Sequence, residues 1–347
     1  MSIYKNWKLP QYFQKVVVIF TCVLIFLWIA VTLRFQRLRP STELFWKTTG
    51  APPKYAFATI LTSEGDVEFP DVEEPYLRAV RLLTYQLLHN PRTRNASYEI
   101  PLLVLVTPDV PETHQEILRN DGATVLPVET LERDWIHPKW GRWSNVLAKL
   151  HLWTLEEYDK IAFLDADSVI FNPIHEIFED PATDIRQTII PTSNETVNSE
   201  IADKLPYEYM IAGIHDPWME QFMPPPENMV FYEKGSYMNA GFFVLYPSKP
   251  VFDYYGALLD LPDQFDSAYP EQNLLNCAHR TDGPMPWQYV GPGWNLKGAR
   301  ESDLKNGLKS LHHKWWRPIQ DEYVSDRIAE AVQELEAHLQ LQSETPS

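Results

Sequence analysis

The stretch IAFLDADSVIFNP, residues 161–173, runs a block of apolar side chains straight into two carboxylates, Asp165 and Asp167, with Ala166 between them. Read as an extended segment, residues two apart point to the same side, so both carboxylates can face one divalent ion. An Asp-Ala-Asp-Ser tetrapeptide also suits a turn after a strand. The position at the exit of a buried strand favours the metal reading, because open α/β sheets place their ligands beyond the carboxyl ends of their strands.

Upstream, KYAFATIL (54–61), IPLLVLVT (100–107) and ATVLPV (123–128) read as strands. EEPYLRAVRLLTYQLLHN (73–90) and PETHQEILRND (111–121) carry apolar residues at helical spacing. The order is β-α-β-α-β, and near-continuous apolar strands alternating with helices predict an α/β fold with a Rossmann-like, mainly parallel sheet covered on both faces. Ser144 is placed to cap a further helix reaching about Glu157, with Val146, Leu147, Leu150 and Trp153 inward. KIAFL then returns as the strand that delivers Asp165. From about 181 to 230 the chain is irregular and reads as loops over the site, and GFFVLYP (241–247) resumes strand character. The closing SDRIAEAVQELEAHLQLQ spaces Ile328, Ala331, Val332, Leu335 and Leu339 as the inner face of a docking helix.

The chain has 347 residues, 44% of them hydrophobic, enough for one sizeable core, and its 29 prolines are scattered as loop punctuation. Residues 16–33, VVVIFTCVLIFLWIAVTL, carry no charge and as a helix would span about 27 Å, which predicts a membrane anchor. Lysines before it and arginines after it leave its orientation open. The short preceding tail and the glycosylation acceptors Asn95-Ala96-Ser97 and Asn194-Glu195-Thr196 predict a lumenal domain. Of the two cysteines, Cys22 falls inside that segment, so Cys277 has no partner beyond it and the domain is held by its core. A net charge of −17 excludes a nucleic-acid partner and demands a cation wherever a phosphorylated ligand binds.

LAKLHLWTLEEYDKIAFLDADSVIFNPIHEIFE (147–179) resembles the central signature of glycosyltransferase family 8, the glycogenin-like retaining enzymes of the GT-A fold. AFATILTS with Tyr76 resembles that family's nucleotide-binding start, MNAGFFVLYPS (238–248) its Asn-x-Gly strand, and EQNLLN (271–276) its Asp-Gln-x-x-Leu-Asn segment. These matches keep the family's order over about residues 54–318. The resemblance implies that Asp165 and Asp167 hold Mn²⁺ against the diphosphate of a UDP-sugar. It further implies that Ile60, Thr62, Ser63, Tyr76 and Ala166 contact the nucleotide, and that Lys149 contacts donor phosphate or sugar. The family's third metal ligand is a late histidine in a His-x-x-Gly-x-x-Lys-Pro-Trp segment. LHHKWWRP (311–318) stands there in compressed form, with His312 as the ligand, His313 as the alternative and Lys314 in the place of the family lysine. An imidazole beside two carboxylates suits Mn²⁺ among hard divalent ions. Gln272 and Glu271 are then the catalytic candidates, with Asn239 on the sugar's other side; Glu271 stands where the family has Asp.

These readings predict a cytosolic tail (1–15), an anchor (16–33), a stem (34–53), a catalytic domain (54–320) and a terminal helix with its tail (321–347). The expected protein is a single-pass type II enzyme of the Golgi membrane. It would move a sugar from a UDP-sugar to a glycan or glycoprotein acceptor with retention of configuration. A catalytically silent nucleotide-sugar-binding scaffold is the alternative. A homo-oligomer is compatible with the sequence, and neither the donor sugar nor the acceptor can be read from it.

Overall fold

In a computed structural model, residues 53–62, 74–97, 99–189, 198–216 and 237–344 are described. The first half follows the alternation of apolar strands and amphipathic helices. Strand β1 (Tyr55–Leu61) leads to helix α1 (Pro75–Thr84), β2 (Leu102–Val106), α2 (Glu112–Asn120) and β3 (Thr124–Pro127), and then β4 (Lys160–Leu164) and β5 (Ser168–Ile170). The short strands β6 (Arg186–Gln187) and β7 (Glu208–Tyr209) pair with each other, and β8 (Ile211–His215) and β9 (Met238–Leu245) follow. Helices α3 (Lys249–Leu259) and α4 (Pro270–Ala278), strand β10 (Gln288–Tyr289), helix α5 (Glu301–Lys305), strand β11 (Ser310–His312) and helix α6 (Glu322–Glu344) complete the order. Pro75, Pro250 and Pro270 each sit in the first turn of a helix, where the missing N–H leaves no donor unsatisfied.

Seven strands form the central sheet in the order β10-β8-β9-β4-β1-β2-β3. All run the same way except β9, which is antiparallel to both β4 and β8, with Phe163 opposite Phe243 and Ala212 opposite Val244. A mostly parallel sheet flanked by helices is the architecture expected of the GT-A fold. Alternation along the strands feeds two cores. Ala56, Ala58 and Ile60 of β1, with Ile161 and Phe163 of β4, face one, while Phe57 and Leu61, with Ala162 and Leu164, face the other. On the first face Trp153 stacks on Phe243 at 5.7 Å and Phe243 on Phe163 at 5.0 Å. The carboxyl ends of β1 and β4 thereby open on the same edge, with Thr62 after one and Asp165 after the other.

The segment before β4 differs from expectation in kind. Residues Val146–Thr154 form a 3₁₀ helix preceded by Asn145, with no side-chain cap, so Ser144 does not start an α-helix here. Seven of its nine residues are buried, Lys149 included. A segment enclosed on nearly every side is shaped by the space around it rather than by a one-faced 3.6-residue pattern.

Helix α6 docks as the spacing predicts. Val324, Ile328, Ala331 and Leu335 are buried in a third cluster with Leu82 of α1, Val169 of β5 and Leu311 of β11. Asn90 adds a hydrogen bond of 2.9 Å to Glu334, and Arg92 pairs with the same carboxylate. The terminal helix therefore backs the β5–β11 ribbon.

The expectation of a single-pass Golgi membrane location with a lumenal catalytic domain is corrected. Among the described residues no helix is long and apolar enough to cross a membrane. The 16–33 segment on which that expectation rested, and the acceptor Asn194, lie outside those residues. Residues Lys54–Ser347 make up one compact unit.

Truncating Ile328 to Ala removes buried methyl groups from the α6 interface and is expected to cost about 2–4 kcal/mol of unfolding free energy. Denaturant titration of the Ile328→Ala chain measures this, and a loss below about 0.5 kcal/mol, the scale of ordinary surface substitutions, would show that the helix is not part of the cooperative unit.

Candidate active site

Beyond the end of β4 the chain turns at once into β5, with the Ser168 N–H donating to the Asp165 carbonyl at 3.0 Å. Both edges of β5 are pinned. On one side it pairs antiparallel with β11, placing His312 opposite Ser168. On the other the buried Gln86 side chain donates to the Ile170 carbonyl at 2.8 Å and accepts from its N–H at 2.9 Å. The fully buried Asn295 clips the ribbon from behind, donating to Ser310 Oγ at 2.9 Å and to Ser168 Oγ at 3.4 Å. This pairing, between segments more than a hundred residues apart, carries the His312 imidazole to the Asp-Ala-Asp turn.

His312 Nε2 lies 3.2 Å from Asp167 Oδ1 and 3.7 Å from Asp165 Oδ2. One ligand atom from each of Asp165, Asp167 and His312 lies within 4.8 Å of the other two, a spacing that one metal ion can bridge. Two carboxylate oxygens and an imidazole nitrogen form a donor set that fits Mn²⁺, and three protein ligands leave further coordination positions for a substrate. His313 does not join them. Its N–H donates to the Asp167 carbonyl at 3.1 Å and burial lowers its pKa from the ordinary histidine value.

The ribbon leaves little room for the His312 ring, and Gly241 of β9 supplies it. A Cβ at Gly241 would lie 2.2 Å from His312 Cε1 and 2.7 Å from Nδ1. The same residue accepts a hydrogen bond from the Asp165 N–H at 2.8 Å, and its own N–H donates to Asn239 Oδ1 at 2.8 Å. The Asn-x-Gly pattern thus serves the Asp165–Asp167–His312 cluster as well as the sheet.

Three lysines balance the converging carboxylates. Lys149, only 3% exposed, donates to Asp165 Oδ1 at 2.9 Å, to Glu271 Oε1 at 3.0 Å and to the Ala240 carbonyl at 3.4 Å. Burial pulls its pKa down, but the charges of Asp165 and Glu271 outweigh this and hold it above the ordinary lysine value. Its stabilising contribution is therefore present through neutral pH and is lost as pH rises through that raised value. Lys314 donates to Tyr76 Oη at 2.7 Å and to Asp167 Oδ2 at 3.1 Å. Burial raises the Asp167 pKa, yet His312 and then Lys314 hold it far below the usual carboxylate range. Lys297 pairs with Asp216 at 3.2 Å.

Gln272, in the first turn of α4, links these groups. Its Oε1 accepts from the Ala240 N–H at 3.0 Å and from Asn239 Nδ2 at 3.5 Å, and its Nε2 donates to Asp216 Oδ2 at 2.8 Å.

One cavity of about 470 Å³ gathers Ile60, Thr62, Tyr76, Lys149, Asp165, Ala166, Asp167, Asn239, Glu271, Gln272, His312, His313 and Lys314 on its walls. Ser63 lies outside the described residues. The cavity is also lined by Gly241, the glycine of the Asn-x-Gly strand, and by Arg142, Trp143, Asp216, Tyr269, Lys297 and Arg317, to none of which the sequence reading assigns a role. Asp216 had a legible signal, since it follows the apolar strand IAGIH as Asp165 follows IAFL. Arg142, Trp143 and Lys297 had none.

No family model matches the chain. Galactinol synthase 4 of Arabidopsis thaliana is 26% identical over 306 residues, 80% of this chain and 84% of the relative. An uncharacterized protein of Schizosaccharomyces pombe is 26% identical over 307 residues, 80% and 78% of the two chains. Among solved structures, the galactosyltransferase LgtC, crystallised with donor and acceptor sugar analogues, is 13% identical over 80% of this chain and 95% of its own, with a TM-score of 0.44. The sequence relatives support a glycosyltransferase of the family 8, GT-A kind.

Gly241→Ala is expected to push His312 off the two carboxylates and weaken Mn²⁺ binding by about 10- to 100-fold, the range found when a metal ligand loses its orienting partner. Calorimetric titration of the folded variant with Mn²⁺ checks this, and an unchanged affinity would remove His312 from the ligand set. Lys149→Ala leaves Asp165 and Glu271 facing each other unpaired and is expected to cost about 3–5 kcal/mol in a denaturant titration; a loss under 1 kcal/mol would mean that the buried charge is not needed.

Proposed function

We propose that the chain is a metal-dependent glycosyltransferase that moves a sugar from a UDP-sugar to a hydroxyl acceptor with retention of configuration. The observation that carries this reading is the convergence of Asp165, Asp167 and His312 within 4.8 Å at the strand-exit edge of a mostly parallel sheet, in the wall of one cavity. A divalent ion held there would stabilise the negative charge that develops on the departing diphosphate.

The chain's own residues supply the remainder. Tyr76 and Lys314, joined by their hydrogen bond, form the wall on the nucleotide side, and Lys314 adds a positive charge beside the metal ligands. Lys149 has its three hydrogen bonds directed at Asp165, Glu271 and Ala240, which assigns it to holding the metal ligand and Glu271 in one frame rather than to the donor phosphate. Glu271 and Asn239 then stand on either side of the position for the sugar. The Gln272 carbonyl already accepts from Ala240 and Asn239, so it is poorly placed to attack an anomeric carbon. That arrangement favours a transfer in which the acceptor enters on the face from which UDP departs.

The compressed LHHKWWRP segment and Glu271 were the grounds for a catalytically silent scaffold. His312 and Lys314 nonetheless both reach Asp167, and Glu271 reaches Lys149, which favours the enzyme. The similarity to galactinol synthases supports galactosyl transfer to a small acceptor ahead of a glycan or glycoprotein.

Release of UDP from UDP-galactose and other UDP-sugars is expected to require Mn²⁺, to stop with chelator and to fall at least about 100-fold in Asp165→Ala, the scale of several kcal/mol of lost transition-state stabilisation. Retention of full activity by that variant would sink the metal assignment, and donor binding without turnover would return the silent scaffold.

A further inference from the structure

The wall of the cavity also carries a cluster that the reading above does not use. Arg142, in the 3₁₀ turn Gly141–Trp143, lies with its guanidinium carbon 5.3 Å from the Trp143 ring and 5.5 Å from the Trp140 ring. Trp143 in turn packs on Tyr269, with ring centroids 4.8 Å apart. The turn is tied to the start of α4 by the Lys139 N–H, which donates to the Ala268 carbonyl at 3.0 Å. Tyr269 precedes Glu271 by two residues, so the platform adjoins the position for the sugar. Two features suggest a ligand. Tyr269 is 37% exposed, with Lys139 Nζ 5.8 Å from its ring centroid, and offers open aromatic surface suited to the apolar face of a sugar or polyol ring. Arg142, Trp143 and Tyr269 all line the cavity.

Charge decides what kind of ligand. Of the cationic side chains lining the cavity, Lys149 pairs with Asp165 and Glu271, Lys314 with Asp167 and Lys297 with Asp216, and Arg317 is engaged as well, whereas among the described residues Arg142 pairs with no carboxylate and lies over the indoles. A divalent metal ion and the diphosphate of a donor would offset each other. The Arg142 charge then stays uncompensated, in a chain whose net charge is −17. A guanidinium fixed on aromatic faces keeps its N–H fork free and oriented for phosphate or carboxylate.

Resting on the transferase reading, we propose that Trp143, Tyr269 and Arg142 form the acceptor subsite, and that the acceptor is a small sugar or polyol bearing a phosphate or carboxylate. Its ring would lie on the two aromatic rings and its anionic group on Arg142, with one hydroxyl turned towards the anomeric carbon of the donor. In the transfer the C1–O bond to that hydroxyl oxygen forms as the C1–O bond to the β-phosphate breaks. The bonding pair leaves with UDP, and the hydroxyl proton passes to the departing phosphate oxygen.

The test compares matched probes, myo-inositol with myo-inositol 1-phosphate and galactose with galacturonic acid. Two readouts are taken on the full chain: UDP release with Mn²⁺, and calorimetric binding of each probe in the presence of UDP and Mn²⁺. The expected result is a preference of about 10- to 100-fold for the anionic member of at least one pair in both readouts, the worth of a hydrogen bond to a charged group. In Arg142→Gln that ratio is expected to collapse towards one, and in Trp143→Ala both members of the pair are expected to weaken. Equal use of neutral and anionic probes, or an anionic preference that survives Arg142→Gln, would overturn the subsite. Anionic probe binding that depends on Arg142 without UDP release from any donor would keep the anion site and instead sink the transferase reading.

Discussion

Carboxylates crowded at the carboxyl edge of a sheet repel one another, and the site depends on how that repulsion is balanced. Asp165, Asp167, Asp216 and Glu271 reach one cavity from the β4–β5 turn, the end of β8 and the start of α4. Each meets a lysine, and the most enclosed, Lys149, bridges Asp165 and Glu271 from a 3₁₀ helix that is buried almost throughout. An ion pair so deep in the fold contributes less to net stability than to specifying one arrangement, because either carboxylate left alone there would carry its desolvation cost uncompensated. The buried charge therefore ties Asp165 to α4, and Gln272 ties α4 to β9 and Asp216.

The second constraint is space. In the central sheet, among the described residues, strand β9 alone runs against its neighbours, and this reversal places Asn239, Ala240 and Gly241 beside the exit of β4. Gly241 can accommodate the His312 ring only because it has no Cβ. Behind His312, the β5–β11 ribbon is held by Gln86, by Asn295 and by the apolar face of α6. A helix at the end of the chain thus helps set the position of His312.

Much of this was legible in local pattern. The β-α-β-α-β order, the buried strand ending in Asp165, the inward face of α6 and the strand character of residues 241–247 all follow from periodicity, because burial of one face or both writes itself into the spacing of apolar residues. The 3₁₀ helix at Val146–Thr154 was not legible, since a segment enclosed on most sides has no one-faced pattern to read. Nor was the partnership of Arg142 with Trp140 and Trp143, or of Lys297 with Asp216, because an isolated basic residue looks the same in sequence whether it faces solvent or a cavity.

By itself the sequence determined the residue types and the order in which they arrive: two acids after a buried strand, a histidine pair late in the chain, an Asn-x-Gly strand and a Glu-Gln helix start. The tertiary structure alone decided that His312 rather than His313 meets the acids. Antiparallel pairing of β11 with β5 sets His312 opposite Ser168 and brings its Nε2 to 3.2 Å from Asp167 Oδ1, whereas His313, just past the end of β11, meets Asp167 through its backbone N–H. It also decided that Lys149 serves the protein's own carboxylates, because the reach of a side chain depends on which strand ends the fold brings within about 3 Å of it, the ordinary hydrogen-bond distance.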